Sequence, residues 1–292
     1  MILLLFVAKL FMDQTYAFAD IDLARRLERA EAHGNVEFVE ARKRAFPDRD
    51  AAWIEVAGAH AMFDGVGSPV TQTFGLGVFE PITPEQLNEI ERFFRSRGAE
   101  VFHEVCPLAD PSAFELIRER NYKPVEFSNV LYRPIDPDLR LPASRNEEIK
   151  VRVVGKDEVA VWAETVREGW SDVPGVGDFF KELKQVTVQS NGLSFLAELK
   201  GQAIAAGRLI IAGDIALLAG ASTVQSARRQ GAQNALLEER LRYAAAQGCT
   251  DAMMATLPGS GSQRNSERNG FRIAYTRTKW RQDLQDLHNL HD

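Results

Sequence analysis

The chain has 292 residues, 45% of them hydrophobic and 26% charged, enough for one large or two modest domains with a substantial core. A net charge of −6 argues against a general nucleic-acid-binding surface and leaves room for a local basic pocket. Cys106 and Cys249 lie far apart in apolar surroundings and read as buried free thiols, so neither a disulfide framework nor a metal site is expected.

The chain opens on an apolar run from Met1 to Met12, and Ala17-Phe-Ala19 resembles a signal-peptidase site. No basic residue precedes the run, Lys9 interrupts it, and it is too short to span a bilayer. An extra strand or a misplaced start therefore fits it better than an export signal. Residues 20–46 carry a helical pattern, with Leu23, Leu27, Ala30, Val36 and Val39 spaced among charges. Ala51–Phe63 reads as a strand closed by Asp64-Gly65, and Val70–Phe79 as another. Thr83-Pro-Glu-Gln is a helix start, with Thr as N-cap, Pro at the first position and Gln at the capping-box position; Gly98 ends that helix. A strand over residues 100–106, a helix over 110–120 and a strand over 125–132 follow. Residues 136–148 are polar and Pro-rich and read as a linker between a first domain, 1–135, and a second, 149–292.

The second half starts again with a strand at Ile149–Val154, a helix over about residues 157–170, and a helix from Asp178 to Gln185. Strands at 193–199 and 203–211 lead to a buried apolar run, Ile215–Gly220. Then comes Thr223-Val-Gln-Ser-Ala-Arg-Arg-Gln-Gly-Ala-Gln-Asn, a basic turn with one glycine, ahead of the amphipathic run Ala235–Ala246. A turn of this kind points backbone N–H groups at one spot, where the first helical turn has no acceptors of its own. The helix dipole with Arg228 and Arg229 adds positive potential, and the result suits a phosphate or pyrophosphate. No Gly-Lys-Ser/Thr follows, so it is not a Walker loop, and it lacks the three spaced glycines of a dinucleotide fingerprint. Downstream stand a strand at Ala252–Leu257, the segment Pro258–Phe271, and a last strand at Arg272–Trp280.

This order resembles the acetyl-CoA-binding half of the GNAT N-acetyltransferases. In that family a strand leads into Gln/Arg-x-x-Gly-x-Gly/Ala and a helix, then a diverging strand and a short helix ending in Gly-Phe. Arg228 and Gly231 match the first two fixed positions, Gln233 departs from the third, and Gly270-Phe271 matches the Gly-Phe pair. Where the family often has a tyrosine proton donor, this chain has Ser266. The resemblance implies that Thr223 and Val224 hold the pantetheine arm and that Arg228, Arg229, Gln230, Gly231, Ala232, Gln233 and Asn234 hold the pyrophosphate. It also places Ser262 and Asn265 near the pantetheine or thiol.

The two halves echo one another: Gly98 with Gly248, Pro107 with Pro258, and Glu119-Arg-Asn121 with Glu267-Arg-Asn269. In the first half Phe79-Glu-Pro-Ile-Thr-Pro-Glu stands where the cradle should be, with Pro84 removing a donor and Glu80 and Glu85 repelling phosphate. The expected fold is α/β (α+β): two tandem GNAT-like domains, each a mostly antiparallel mixed sheet flanked by helices, the first without a cofactor site. The strand before the cradle is expected to diverge from its neighbour and leave a slot.

The implied activity is acetyl transfer from acetyl-CoA to a primary amine of a small molecule or peptide, without a metal, nucleic acid or membrane partner, in the cytoplasm where that co-substrate is found. A catalytically silent acyl-CoA-binding or sensing module is the alternative that Ser266 suggests. The catalytic groups are open. Glu198 is a strand carboxylate that could be an edge ion pair, Ser222 lies near the expected thioester without a base beside it, and Tyr275 alternates along a strand as core residues do. Trp53, Glu55, His60 and Gln72 would line a substrate pocket if the halves faced each other. With an ordinary helical φ at Gly231, the fold would tolerate aspartate there.

Overall fold

The computed structural model describes residues 16–135, 141, 146–173 and 177–282. The apolar run at 1–12 and most of the linker at 136–148 lie outside them. Among the described residues, eleven strands form one continuous sheet in the order β1-β2-β3-β4-β11-β5-β10-β9-β8-β7-β6. The first half supplies β1 (Ala52–Val56), β2 (Ala59–Phe63), β3 (Gln72–Phe74), β4 (Phe102–Val105) and β5 (Tyr122–Pro134). The second supplies β6 (Ile149–Val153), β7 (Leu193–Leu199), β8 (Gln202–Ala212), β9 (Ile215–Thr223), β10 (Asp251–Thr256) and β11 (Arg272–Gln282). Helices α1 (Ile21–Ala45), α2 (Pro84–Arg95) and α3 (Pro111–Glu119) belong to the first half. Helices α4 (Val159–Gly169), α5 (Gly177–Lys181), α6 (Leu183–Val188), α7 (Ala232–Ala246) and α8 (Gly261–Arg268) belong to the second.

The repeated order of elements is present in the sheet. In both halves an antiparallel pair leads to a parallel pair, β2-β3 then β3-β4, and β8-β9 then β9-β10. Each half also ends in a short helix and one long strand. Those last strands are exchanged: β11 pairs antiparallel with β4, and β5 pairs antiparallel with β10, while β11 and β5 pair with each other at the centre. The core follows the same pattern. One buried cluster joins Leu27, Leu87, Ile90, Phe94 and Val130 of the first half to Ile210, Leu217, Met253 and Tyr275 of the second.

Local chemistry explains where the elements start and stop. Asp20 caps α1, its side chain accepting from the N–H groups of Asp22 and Leu23 at 3.1 and 3.0 Å. The expected capping box at Thr83 forms, with Thr83 Oγ1 accepting from Gln86 N and Gln86 Oε1 from Thr83 N. Two expected strands are corrected. Ala51–Phe63 is a hairpin, because Ala57 (φ 50°) and Gly58 (φ 74°) make a left-handed two-residue turn. Val70–Phe79 yields only three strand residues, because Gly75 (φ 80°) and Gly77 (φ 71°) turn the chain. The single helix expected over 178–185 is two short ones, α5 and α6. Among the described residues no helix is long and apolar enough to cross a membrane.

Candidate functional site

The site is built where β9 and β10 part. They are paired in parallel at Ile215–Asp251, Ala216–Ala252 and Leu217–Met253, and at no residue beyond. This is the divergence expected from the sequence. A cavity of about 750 Å³ opens into the gap, lined by Leu218–Ala221 of β9 and Met254–Leu257 at the end of β10. Within the gap β9 is bulged: three steps from Ala219 to Ser222 face two on β8, from Arg208 to Ala206. Gly220, with φ 59°, takes up the extra residue, and a bulge releases backbone groups from the ladder.

At the mouth of the gap the chain leaves β9 through a short 3-10 turn at Gln225–Ala227 and enters α7. Arg229 (φ 66°) and Gly231 (φ 91°) are both left-handed, on either side of Gln230. Alternating left-handed residues curl the N–H groups inward into an anion-binding concavity. Among the described residues no side chain caps α7, and none accepts from the N–H groups of Ala232, Gln233 and Asn234. With Gly231 left-handed, the condition under which the fold would tolerate aspartate there is not met. An added Cβ would also stand 3.3 Å from Asn146 Cβ, whose side-chain amide donates to Gln230 O at 3.0 Å.

The predicted cofactor residues fall into two groups. Gln233, Ser262 and Asn265 line the cavity. Thr223, Val224 and residues 228–232 form the turn at its mouth, with Asn234 just inside α7. Arg228 is committed elsewhere. It pairs with Asp172 at 2.6 and 2.9 Å and donates to Gly169 O at 3.1 Å, strapping the end of α4 to the turn. That hydrogen-bonded pair holds the Asp172 carboxyl below its ordinary range. Arg229 is exposed. Gln233 Nε2 donates to Thr223 Oγ1 at 2.7 Å, so the residue that departs from the family pattern ties the helix start to the end of β9. Asn234 accepts from Asn269 Nδ2 at 3.1 Å, which anchors α8 beside the same helix.

None of the three candidate catalytic residues lines the cavity. Glu198 is the edge ion pair, held by Arg152 of β6 at 2.9 Å, and Arg152 also binds Glu158 at 2.8 Å. Ser222 is 5% exposed and sealed under α4, where a Cβ on Gly169 would meet its Oγ at 2.5 Å. Tyr275 is 6% exposed and donates to Glu28 Oε1 at 2.8 Å. Burial and the neighbouring Glu28 push its hydroxyl well above the ordinary range. Ser266 lines the cavity but is nearly buried, donating to Ser262 O at 2.9 Å. Trp53, Glu55, His60 and Gln72 lie on β1–β3, outside the cavity, with Trp53 Nε1 donating to Glu40 at 2.9 Å.

The first half reaches the cavity through α1 and through Pro69 and Val70. Glu31, Gly34, Asn35, Glu37 and Phe38 line it, facing Trp162, Trp170, Phe179 and Phe180 of the second half. Phe38 stacks on Phe179 with ring centroids 5.5 Å apart. The sequence pattern registers α1 as amphipathic but not which of its polar residues would face a cavity. Beneath α1 lies a buried charge cluster. Arg277 of β11 sits 2.6 Å from Glu31, 3.6 Å from Glu28 and 3.9 Å from Glu104 of β4. Burial pushes Glu28 up to about 7 against the pull of Arg277, and it also raises Glu104. The signal for this cluster was an i, i+3 pair of glutamates on the apolar face of a helix and one arginine inside an alternating strand.

The equivalent place in the first half is closed. Asp110 N donates to Gly77 O at 2.8 Å, and a Cβ on Gly77 would lie 2.8 Å from Ala113 Cβ. Phe79 packs so tightly over Gly75 that a Cβ there would meet its ring at 2.8 Å. Helix α2 starts at Pro84 with its cap satisfied by Thr83, so no spare donors gather. What is left is a cavity of about 150 Å³ bordered by Glu80 and Asp110.

No family model and no curated protein matches the sequence. Solved structures do. A GCN5-related N-acetyltransferase from Kribbella flavida aligns over 90% of this chain and 98% of its own, at TM-score 0.64 and 18% identity. A conserved protein of unknown function from Staphylococcus epidermidis aligns over 82% of this chain and 98% of its own, at TM-score 0.57 and 11% identity. A GCN5-related N-acetyltransferase from Sphaerobacter thermophilus aligns over 68% of this chain and 66% of its own, at TM-score 0.52 and 17% identity. The divergent strands, the uncapped helix behind a left-handed glycine and the likeness across nine-tenths of the chain lead to one conclusion: this chain has the fold of the GCN5-related N-acetyltransferases.

Proposed function

We propose that the chain is an acyltransferase that moves the acetyl group of acetyl-CoA to a primary amine of a small molecule or peptide, with the second half holding the co-substrate. The observation that carries this reading is the union of an uncapped helix start with a strand gap that opens into a largely apolar cavity. The N–H groups of residues 229–234, with the exposed Arg229, suit the pyrophosphate. The unpaired edge of β9 suits the pantetheine amides, and Gln233, Ser262 and Asn265 face the same gap. Bound there, the thioester supplies an activated acyl carbon. Backbone donors released at the Gly220 bulge are suited to meet the oxyanion as it forms, and donors fixed beforehand contribute most in a site that excludes water. The aromatic wall of Trp162, Trp170, Phe179 and Phe180 favours an acceptor with an apolar body.

Calorimetry with acetyl-CoA, followed by thiol release with a panel of amines, tests the reading. Stoichiometric binding and thiol release with an apolar amine are expected. Failure to bind acetyl-CoA, or binding without turnover on any amine, would refute acyl transfer.

A further inference from the structure

We infer that Glu31, on the long helix of the first half, is the general base of the transfer proposed above, so that the half without a cofactor cradle completes the active site. The inference rests on that proposed reaction and on what the cavity contains. Among the described residues its walls hold no histidine, cysteine or tyrosine, and their only carboxylates are Glu31 and Glu37, both on α1. The strands that part to form the gap offer Leu218-Ala-Gly-Ala221 and Met254-Ala-Thr-Leu257, none of which can take a proton from an amine. An ammonium near its ordinary pKa must lose a proton before it attacks, so a cavity built for this chemistry needs an acceptor for it.

Glu37 is occupied on both oxygens, by Ser190 Oγ at 2.9 Å and by the N–H of Asn191. Glu31 is not. Its Oε2 accepts from Arg277 Nη2 at 2.6 Å, and its Oε1 accepts from no described residue. The side chain keeps 14% of its surface exposed, on a residue that lines the cavity. Its position is set by Gly34, one turn along. A Cβ on Gly34 would stand 2.6 Å from Leu217 Cδ2, so the missing side chain lets α1 rest on the last paired residue of β9. Glu31 is thereby held over the point where the strands separate.

The groups around it suit the role. Arg277 from β11 orients the carboxylate, yet its single charge is divided among Glu31, Glu28 of the same helix and Glu104 of β4. Tyr275 of β11 completes the cluster through Glu28. In the step, Glu31 takes one proton from the acceptor ammonium. The freed nitrogen pair forms the C–N bond at the acyl carbon, the C–S bond breaks with its pair going to sulfur, and the second nitrogen proton passes to that thiolate. The products are the amide, free CoA thiol and protonated Glu31, which returns its proton to water.

Glu31→Gln tests the assignment, because the amide oxygen still accepts from Arg277. The expected result is a fall in kcat of about 10²–10⁴-fold, the usual span for general-base catalysis. Acetyl-CoA affinity by calorimetry should not change, and amine affinity, followed by the fluorescence of Trp162 and Trp170, should change far less than kcat. The acidic limb of the kcat–pH profile should vanish, the defect should shrink for amines of low pKa, and Glu31→Asp should recover part of the rate. Glu40→Gln, on the same helix but outside the cavity and still able to accept from Trp53 Nε1, should keep kcat. A Glu31→Gln variant that retains kcat and its pH profile overturns the inference while leaving acyl transfer standing. So does one that loses kcat only in step with Tm and acetyl-CoA affinity. Absence of turnover in the unaltered protein refutes acyl transfer itself.

Discussion

Gly231→Asp separates the two halves by a single change. Gly231 has φ 91°, and an added Cβ meets Asn146 Cβ at 3.3 Å. A side chain forced into left-handed backbone costs about 1–2 kcal/mol. At about 2 °C per kcal/mol for a chain of this size, Tm should fall by roughly 2–4 °C. The carboxylate adds a second effect, because it would face the N–H groups of the first turn of α7 and compete with the pyrophosphate for them. Losing one or two charge-assisted hydrogen bonds costs about 1.5–3 kcal/mol, which lowers acetyl-CoA affinity by at least ~10-fold. Gly231→Ala carries the backbone cost without the charge, so the gap in affinity between the two variants isolates the electrostatic part. Thr83→Asp is the counterpart in the first half. Thr83 only caps α2, and aspartate caps as well, so affinity and Tm should hold. Calorimetry and thermal melts on the three variants decide the matter. Weaker acetyl-CoA binding in Thr83→Asp, with normal binding in Gly231→Asp, would show that the cofactor belongs to the other half.

Burial pushes Glu28 up to about 7 from 4.5, so between those values the folded chain keeps a proton that the unfolded chain gives up. Its contribution to stability is complete below about 4.5 and drains away as pH rises through about 7. Glu28→Gln removes that dependence, and its Tm advantage over the unaltered protein should grow from mildly acidic to mildly alkaline buffer; a constant difference would contradict this. Gly77→Ala, at φ 71° with Ala113 Cβ 2.8 Å from the new atom, should lower Tm by several degrees. It should leave acetyl-CoA affinity alone, and weakened binding would show that the first-half slot is not closed. The Cys106 thiol, pushed up to about 12 by burial, and the Cys249 thiol, raised for the same reason, should resist thiol reagents until the protein unfolds. Rapid labelling of either thiol in the native protein would refute that.

Elements that announce themselves through local chemistry were legible in the sequence. Thr83-Pro-Glu-Gln, the start of α1 at Asp20 and the Gly-Phe after α8 each carry their own start or stop signal, and each stands where it was expected. The turn ahead of α7 was legible because a glycine between an apolar strand and a helix is a local feature. Its left-handed geometry was not, since the turn is tied to distant segments, by Asn146 donating to Gln230 O and Arg228 donating to Gly169 O. The Ala57-Gly58 hairpin was missed because alternation continues through it, with no Asn-Gly or Asp-Gly to mark the turn. The proposed base was out of reach for a different reason. Glu31 meets the gap between β9 and β10 only through the packing of Gly34 on Leu217, a contact across more than half the chain.

The exchanged strands fix an order on the birth of this protein. Thr276 bonds to Asn129 across 147 positions of sequence, and both neighbours of β5, β10 and β11, come from the last third of the chain. While the ribosome is making residues 135–250, the thirteen-residue β5 has no strand on either edge, and β4 lacks one of its two. Unpaired strands of this length invite partners from other chains. The first half therefore waits, incomplete, for the second to be made. A stall or a cut between them leaves not one working domain and one idle one, but two fragments that each present an unfilled place in a sheet.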